Sequence, residues 1–196
     1  LVNCGQMCIS VERIFVEDAV HDRFVALLER EVDKVRVGGP DEHADMGPMT
    51  FPRQIETVEQ HLRGAIAAGA KVLRGGERLD RPGQFFAPTL ITEVTTDMEI
   101  YREETFGPVL PVVRVKDADE AVRLASDHQY GLNGSVWTRD VDKGLALASR
   151  MESGQVMVND VVAITGNPAL PFGGVKNSGF GRYHGPEGLL AFTHQK

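Results

Sequence analysis

Short apolar runs alternate along the chain with longer segments whose apolar residues recur at helical spacing. The runs are rich in β-branched and aromatic residues and predict strands at 10–17, 71–76, 108–116, 132–138 and 154–159. The intervening segments repeat apolar residues three and four apart and predict helices at 18–37, 52–68, 117–128 and 140–151. Apolar strands separated by helices are typical of a parallel sheet covered on both faces. The pattern therefore predicts an α/β fold with a mostly parallel sheet between two layers of helices.

Local signals add detail to these elements. Asp117 with Glu120 three residues later resembles a capping box and predicts a helix start. Pro88 lies within the extended stretch 85–94 and indicates an edge or irregular segment, because proline has no N–H for a sheet ladder. In the first helix we expect one apolar face to pack on the sheet, formed by Val20, Phe24, Leu27, Leu28 and Val32.

Composition narrows the class of protein. The 196 residues are 42% hydrophobic and 25% charged, which is ordinary for a globular chain. No apolar run approaches the roughly 20 residues that span a bilayer, so we predict no membrane segment. The net charge of -7 gives no basic surface for nucleic acid, and no nucleic-acid partner is predicted. Because the sequence begins at Leu1 without a methionine, we expect it to be part of a longer polypeptide.

The two cysteines, Cys4 and Cys8, are too few for a disulfide framework or a four-ligand zinc site. The histidines are scattered, and no metal site is predicted. Cys8 precedes a predicted strand, on a loop that Gly5 allows to turn tightly. Only about 3% of an ordinary thiol is thiolate at neutral pH. On local pattern alone, Cys8 is either a nucleophile that needs activation or a small buried apolar residue.

Two further segments carry candidate chemistry. Glu103 and Glu104 stand before an aromatic residue and a Gly-Pro turn, where carboxylates can do acid–base work, hold ribose hydroxyls or simply face solvent. The segment 171–182 contains four glycines but lacks the spacing of a phosphate-binding loop. We interpret it as a structural glycine loop that lines a cleft.

Four motifs occur in a fixed order: Asn-x-Gly-Gln-x-Cys at 3–8, Glu-Glu-x-Phe-Gly-Pro at 103–108, Gly-x-Val-x-Val-Asn at 154–159 and Pro-Phe-Gly-Gly-x-Lys-x-Ser-Gly-x-Gly-Arg at 171–182. This set closely resembles the aldehyde dehydrogenase superfamily over essentially the whole chain. The resemblance implies that residues 1–196 are the nucleophile-bearing catalytic domain, with a three-layer α/β/α fold, and that the cofactor-binding domain lies upstream.

The resemblance also implies roles for single residues. Cys8 would attack an aldehyde to give a thiohemiacetal, and hydride transfer to NAD or NADP would leave a thioester that water hydrolyses. The Cys8 backbone N–H would supply half of the oxyanion hole. Glu104 would bind the nicotinamide-side ribose, and Phe106 would pack near the nicotinamide. Gln54 is a looser match to a cofactor contact.

Other implied roles concern the substrate and the loop that bears the nucleophile. Met7, Ile9 and Phe172 would line the aldehyde tunnel, and the small apolar stretch 161–170 falls in the variable substrate loop. The resemblance gives Asn3 and Gln6 the task of holding the loop, and it makes Cys4 a packing residue.

Several alternatives stay open. The general base and the second oxyanion donor would lie upstream, so we expect the 196 residues to be inactive alone and the full-length protein to be a cytoplasmic homo-oligomer, a dimer or tetramer. A CoA-acylating relative, with CoA in place of water, would share these motifs. So would a non-catalytic structural or binding protein on this fold. A cysteine hydrolase would need a histidine base, for which His184 is the candidate.

Overall fold

The computed structural model describes residues 1–161 and 166–194. Contacts divide the chain into two compact units, Leu1–Lys116 and Asp117–Lys196. Strands and helices alternate in both, which confirms the predicted α/β class. Among the described residues, no helix combines the length and apolar character needed to cross a membrane.

A four-stranded sheet forms the centre of the first unit. Its strands are β1 (Ile14–Glu17), β2 (Lys71–Arg74), β3 (Thr89–Thr92) and β4 (Val109–Val115). The order across the sheet is β1-β4-β3-β2, with β4 parallel to both of its neighbours and β2 antiparallel to β3. The helices of this unit are α1 (Asp18–Val32), α2 (Pro52–Ala67) and α3 (Glu99–Arg102). Every residue of β4 except Arg114 is buried, as expected for a central parallel strand.

Of the two alternatives drawn from Pro88, an edge or an irregular segment, the structure contradicts the edge: Pro88 lies in an irregular stretch before β3. β3 lies inside the sheet, between β4 and β2, and is not an edge. Pro88 immediately precedes its first residue, so the missing N–H falls outside the ladder. Thr89 N then donates to the Pro108 carbonyl oxygen at 2.8 Å, which starts the pairing with the segment leading into β4.

Helix α1 turns a different side to the sheet from the one predicted. Leu28 and Val32 pack on the core as expected, but Val20, Phe24 and Leu27 are exposed. The buried or partly buried positions are His21, Val25, Leu28, Glu29 and Val32. Successive helical residues are about 100° apart, so two overlapping stripes both satisfy apolar spacing. The prediction of the face was therefore wrong for its N-terminal half.

Helix α2 agrees better with its pattern. Ile55, Val58, Leu62 and Ala65 are buried, and only Ile66 of the predicted face is exposed. Pro52 occupies the first helical position, where its lacking N–H costs nothing. This helix carries Gln54 and His61, which contact the site described below.

The second unit contains shorter elements. In chain order they are α4 (Ala118–Ser126), β5 (Tyr130–Gly131), β6 (Asn133–Val136), α5 (Val141–Ala148), β7 (Gln155–Val158), β8 (Val175–Lys176) and α6 (Gly185–Leu190). β6 and β7 pair in parallel, and β5 pairs antiparallel with β8. Asp117 accepts a hydrogen bond from Glu120 N at 2.9 Å, which confirms the predicted helix start.

Candidate active site

The segment before Cys8 is a strained turn held by its own side chains. Asn3, Cys4 and Gly5 all have left-handed backbone angles, with φ of 52°, 58° and 71°. Such angles cost about 1–2 kcal/mol for a residue other than glycine. The Asn3 side-chain amide donates to the Gln6 carbonyl oxygen at 3.1 Å, and the Gln6 amide donates to the Asn3 carbonyl oxygen at 2.9 Å. These reciprocal bonds are the physical basis for the loop-holding role expected of Asn3 and Gln6.

The same turn is fixed to two distant segments. Gln6 Oε1 accepts a hydrogen bond from Thr50 N at 2.8 Å, which ties the turn to the residues leading into α2. A Cβ on Gly5 would lie 2.0 Å from the Gly107 carbonyl oxygen. Glycine is therefore required at this position both by its φ angle and by the space available. The close approach brings the Gly107 backbone against the loop that leads to Cys8.

Cys8 lies in a tight turn of its own. Ser10 N donates to the Met7 carbonyl oxygen at 2.8 Å, so Cys8 and Ile9 are the central residues of the turn. Cys8 is exposed, whereas Cys4 is completely buried. Burial raises the pKa of Cys4 to about 11. Of the two thiols, only Cys8 is accessible to a substrate.

This difference predicts selective alkylation of the 196-residue chain. At pH 8, iodoacetamide is expected to modify Cys8 while leaving Cys4 intact, because a thiol with a pKa about 11 is only about 0.1% thiolate at that pH and is also shielded. Peptide mass spectrometry would locate the label. In guanidinium chloride both residues should react; equal labelling of the two cysteines in the folded chain would contradict the structure.

The second part of the site is the segment 103–108, which we call the Glu-Glu loop. The Glu104 side chain is exposed, and Phe106 is partly exposed with a left-handed φ of 50°. Glu12 holds the loop from one side: its two carboxylate oxygens accept N–H bonds from Thr105 at 3.0 Å and Phe106 at 3.1 Å.

Helix α2 holds the Glu-Glu loop from another side. The Gln54 amide donates to the Thr105 carbonyl oxygen at 2.8 Å. His61 Nδ1 lies 3.2 Å from the Thr105 hydroxyl oxygen, and both groups are buried. Thr105 is thus held at its N–H, its carbonyl and its side chain, which leaves the loop little freedom.

Burial and nearby charges have opposing effects on the pKa values of three side chains at the Glu-Glu loop, Glu104, Glu12 and His61. Surrounding protein atoms raise the pKa of Glu104 although its side chain keeps solvent contact, and the Arg13 charge works to lower it. Burial also raises the pKa of Glu12; together with the like charge of Glu104 it outweighs the lowering by the two N–H bonds and Arg13. Burial lowers the pKa of His61, against the opposing charges of Glu99 and Glu103.

The structure places six of the seven predicted site residues in the first unit: Met7, Cys8, Ile9, Gln54, Glu104 and Phe106. Met7 is partly buried and Ile9 is buried. The tunnel-lining roles of both stay predictions.

Phe172 lies in the second unit, where it is 5% exposed. Its ring centroid is 5.0 Å from that of Tyr183 and 6.1 Å from that of His184. His184, the candidate base of a hydrolase, therefore belongs to an aromatic cluster of that unit. Part of the predicted substrate loop, residues 162–165, lies outside the described residues.

Sequence reasoning missed the residues that hold the Glu-Glu loop. Glu12, His61 and Thr105 were not singled out, and Gln54 was assigned to the cofactor without its bond to Thr105. The sequence carried little signal for this role of Glu12. Its predicted strand, 10–17, also contains Arg13 and Glu17, so a charge at position 12 does not stand out.

Comparison with known proteins places this site in a family. The family model described as "Aldehyde dehydrogenase family" matches residues 1–196. The chain is 47% identical over 192 residues to 4,4'-diapolycopene aldehyde oxidase from Methylomonas sp, covering 98% of this chain and 36% of that protein. It is 42% identical over 197 residues to a Deinococcus radiodurans succinate-semialdehyde dehydrogenase (NADP(+)), covering 100% of this chain and 41% of that protein.

Solved structures of aldehyde dehydrogenases are also similar to this chain. An NAD-dependent aldehyde dehydrogenase from Sinorhizobium meliloti matches with a TM-score of 0.94 and 39% identity, over 100% of this chain and 39% of that one. A Staphylococcus aureus betaine aldehyde dehydrogenase in complex with NAD+ matches with a TM-score of 0.92 and 36% identity, over 97% of this chain and 38% of that one. The chain spans about two fifths of the length of these relatives. With the family model matched from the first residue to the last, the chain belongs to the aldehyde dehydrogenase family.

Proposed function

We propose that the full-length protein, meaning these 196 residues with the further segments its relatives have, oxidises an aldehyde to a carboxylic acid with NAD or NADP. The observation that carries this proposal is the exposed Cys8, in a turn fixed against the Glu-Glu loop while the other thiol is buried. Membership of the family supports the reaction class. The matched relatives are named for aldehyde oxidation, and one was solved with NAD+.

The chemistry of this chain centres on the Cys8 sulfur. After losing its proton to a base, the sulfur forms a C–S bond to the aldehyde carbon, and the carbonyl π electrons move to oxygen. The Cys8 backbone N–H donates to that oxyanion. Collapse of the oxyanion expels hydride, for which NAD or NADP, when bound, would supply the acceptor. Water then breaks the C–S bond, releasing the carboxylic acid and the thiol.

The residues of the Glu-Glu loop fit the nicotinamide end of such a cofactor. Glu104 offers an exposed carboxylate that can accept hydrogen bonds from two ribose hydroxyls, and Phe106 offers a partly exposed aromatic ring beside it. Gln54 donates to the loop backbone, so we assign its part in cofactor binding to support of the loop. The fit extends to the ribose and the nicotinamide; phosphate binding is a task for other segments.

The proposal also includes an oligomeric state and a cellular compartment for the full-length protein. Exposed apolar side chains near the end of the second unit, Phe180, Leu189 and Phe192, support association of the full-length protein into a homo-oligomer. A nucleophilic Cys8 must remain a free thiol, which favours a reducing compartment such as the cytoplasm.

A substrate screen of the full-length enzyme tests the proposal. A polyene aldehyde, betaine aldehyde and succinate semialdehyde would each be offered with NAD+ and with NADP+, and acid and reduced cofactor would be measured together. We expect one acid per reduced cofactor and a preference for the apolar aldehyde, since the stretch 161–170 has no arginine to bind a carboxylate. Product formation only when CoA is added would replace the proposal with acylation of CoA. No product under any condition would refute the proposal.

A further inference from the structure

We infer that Glu12 is a positioning residue of the cofactor site, whose carboxylate fixes the Glu-Glu loop backbone so that Glu104 and Phe106 keep their place relative to Cys8. The effect on catalysis rests on the proposed function. The effect on the loop rests on hydrogen bonds within this chain alone.

The place of Glu12 in the fold makes this coupling direct. Glu12 follows Cys8 by four residues, just before β1, where Ile14 is the register partner of Val112 in the parallel strand β4. The Glu-Glu loop leads directly into β4. Glu12 therefore joins the entrances of two neighbouring parallel strands, one continuous with the nucleophile and the other with the predicted ribose ligand.

The arrangement requires a carboxylate. Thr105 and Phe106 present two successive N–H groups, and Glu12 meets each with a different oxygen, at 3.0 Å and 3.1 Å. An ionised carboxylate is acceptor-only and can satisfy both donors. A glutamine of the same shape offers one oxygen and one NH₂ group, so one backbone N–H would face another donor.

Burial at this position argues for a functional role. Burial, with a smaller contribution from the like charge of Glu104, raises the pKa of Glu12 more than the two N–H bonds and the Arg13 charge lower it, so the fold holds the ionised carboxylate at a net cost. A buried charge is poor evidence of a gain in stability. The cost is understandable if the bonds define the conformation of a loop that acts on a ligand.

The hydrogen bond to Glu12 helps to maintain an unfavourable backbone angle at Phe106. Its φ of 50° is unfavourable for a residue with a Cβ, and such angles persist when the surroundings impose them. Without the acceptor at its N–H, we expect this residue to relax toward negative φ. That rotation would redirect the side chains on both sides of the peptide, including Glu104.

Arg13, the residue after Glu12, contacts α3, the helix that immediately precedes the Glu-Glu loop. Arg13 Nη1 donates to the Tyr101 carbonyl oxygen at 3.0 Å, and its guanidinium lies 5.9 Å from the centre of the Tyr101 ring. Consecutive residues beside the nucleophile thus hold α3 and the Glu-Glu loop. The segment that carries Cys8 also defines the frame of the loop.

The first test is amide hydrogen exchange on the full-length protein. In Glu12→Gln, at least one of the Thr105 and Phe106 amides should exchange at least about 10-fold faster than in the wild type, the lower end for loss of a charge-assisted bond. Glu17→Gln, a change of the same chemistry at the end of β1, is the control and should leave both amides protected. Unchanged protection of both amides in Glu12→Gln would overturn the inference.

The second test uses the full-length enzyme with NAD+ and an aldehyde that it oxidises. We expect Glu12→Gln to slow single-turnover formation of NADH by about 10-fold or more, while the cofactor-free alkylation rate of Cys8 and the rate of thioester hydrolysis stay near wild type. The rate of NADH formation in Glu12→Asp, which keeps the charge, should lie between the rates of the wild type and of Glu12→Gln. Loss of Cys8 alkylation in parallel with NADH formation would indicate general damage and overturn the positioning role, as would faster amide exchange with unchanged NADH formation.

If the wild-type enzyme oxidises no aldehyde, the proposed function fails, and the readout becomes NAD+ affinity measured by calorimetry. Glu12→Gln should then weaken binding about 10-fold relative to Glu17→Gln. Equal NAD+ affinity in the two variants would reject the inference independently of the proposed function.

Discussion

Replacing Cys8 with alanine in the full-length enzyme is expected to abolish aldehyde oxidation, with a fall in kcat of about 10⁴-fold or more, as for other covalent nucleophiles. The substitution removes the atom that forms the C–S bond, and the exposed position of Cys8 means that the fold should be little affected. Steady-state formation of reduced cofactor measures the loss, and thermal unfolding checks that the variant remains folded.

Cys4→Ala is the matched control, because it removes the other thiol of the same loop. The completely buried side chain leaves a small cavity, so we expect a loss of stability on the order of 1 kcal/mol with most activity retained. If the two variants lose activity equally, the assignment of Cys8 as the nucleophile is wrong.

Replacing Glu104 with glutamine is expected to slow hydride transfer by roughly 10- to 150-fold. The variant keeps the shape and one acceptor oxygen but loses the charge that strengthens bonds to the ribose hydroxyls, an effect of about 1.5–3 kcal/mol if felt wholly in the transition state. The nicotinamide ring would then be held less well over the cysteine. Single-turnover measurement of reduced cofactor separates this step from thioester hydrolysis.

Glu103→Gln tests the register of the motif. The adjacent carboxylate has the same chemistry, but we expect its side chain to point away from the cofactor and its replacement to change the rate little. A wild-type hydride-transfer rate in Glu104→Gln together with a slow rate in Glu103→Gln would show that the assignment is shifted by one residue.

Much of the fold follows from local pattern because its elements are defined by local physics. The apolar run ending at Val115 predicts a buried parallel strand, and Asp117 predicts the start of the next helix. The predicted face of α1 failed in part, and so did the edge alternative for Pro88, because both depend on distant neighbours. Nothing within α1 distinguishes the stripe through Val20 from the one through Val25 until the sheet is in place. Pro88 could not be placed at a strand entrance without knowing the strand's first residue.

In the candidate site, too, the sequence indicated some residues and missed others. Cys8 and Glu104 are assigned by the resemblance of their motifs to the family, because each motif is a short contiguous run of residues. The groups that hold their loops carry no such motif. Glu12 reaches Thr105 across 93 positions and His61 reaches it across 44, and such contacts leave no periodic trace in one sequence. The charge at Glu12 was visible in the sequence, but its partner was not.

The contact between Gly5 and Gly107 limits how this protein can be altered by evolution or design. With no room for a single methyl group between the two backbones, a shift of one loop toward the other must be matched by the other loop. Under the proposed function, variation that retunes cofactor preference through the Glu-Glu loop would therefore also move the Cys8 sulfur. Libraries aimed at either property should diversify both loops together, since beneficial changes in one are conditional on the state of the other.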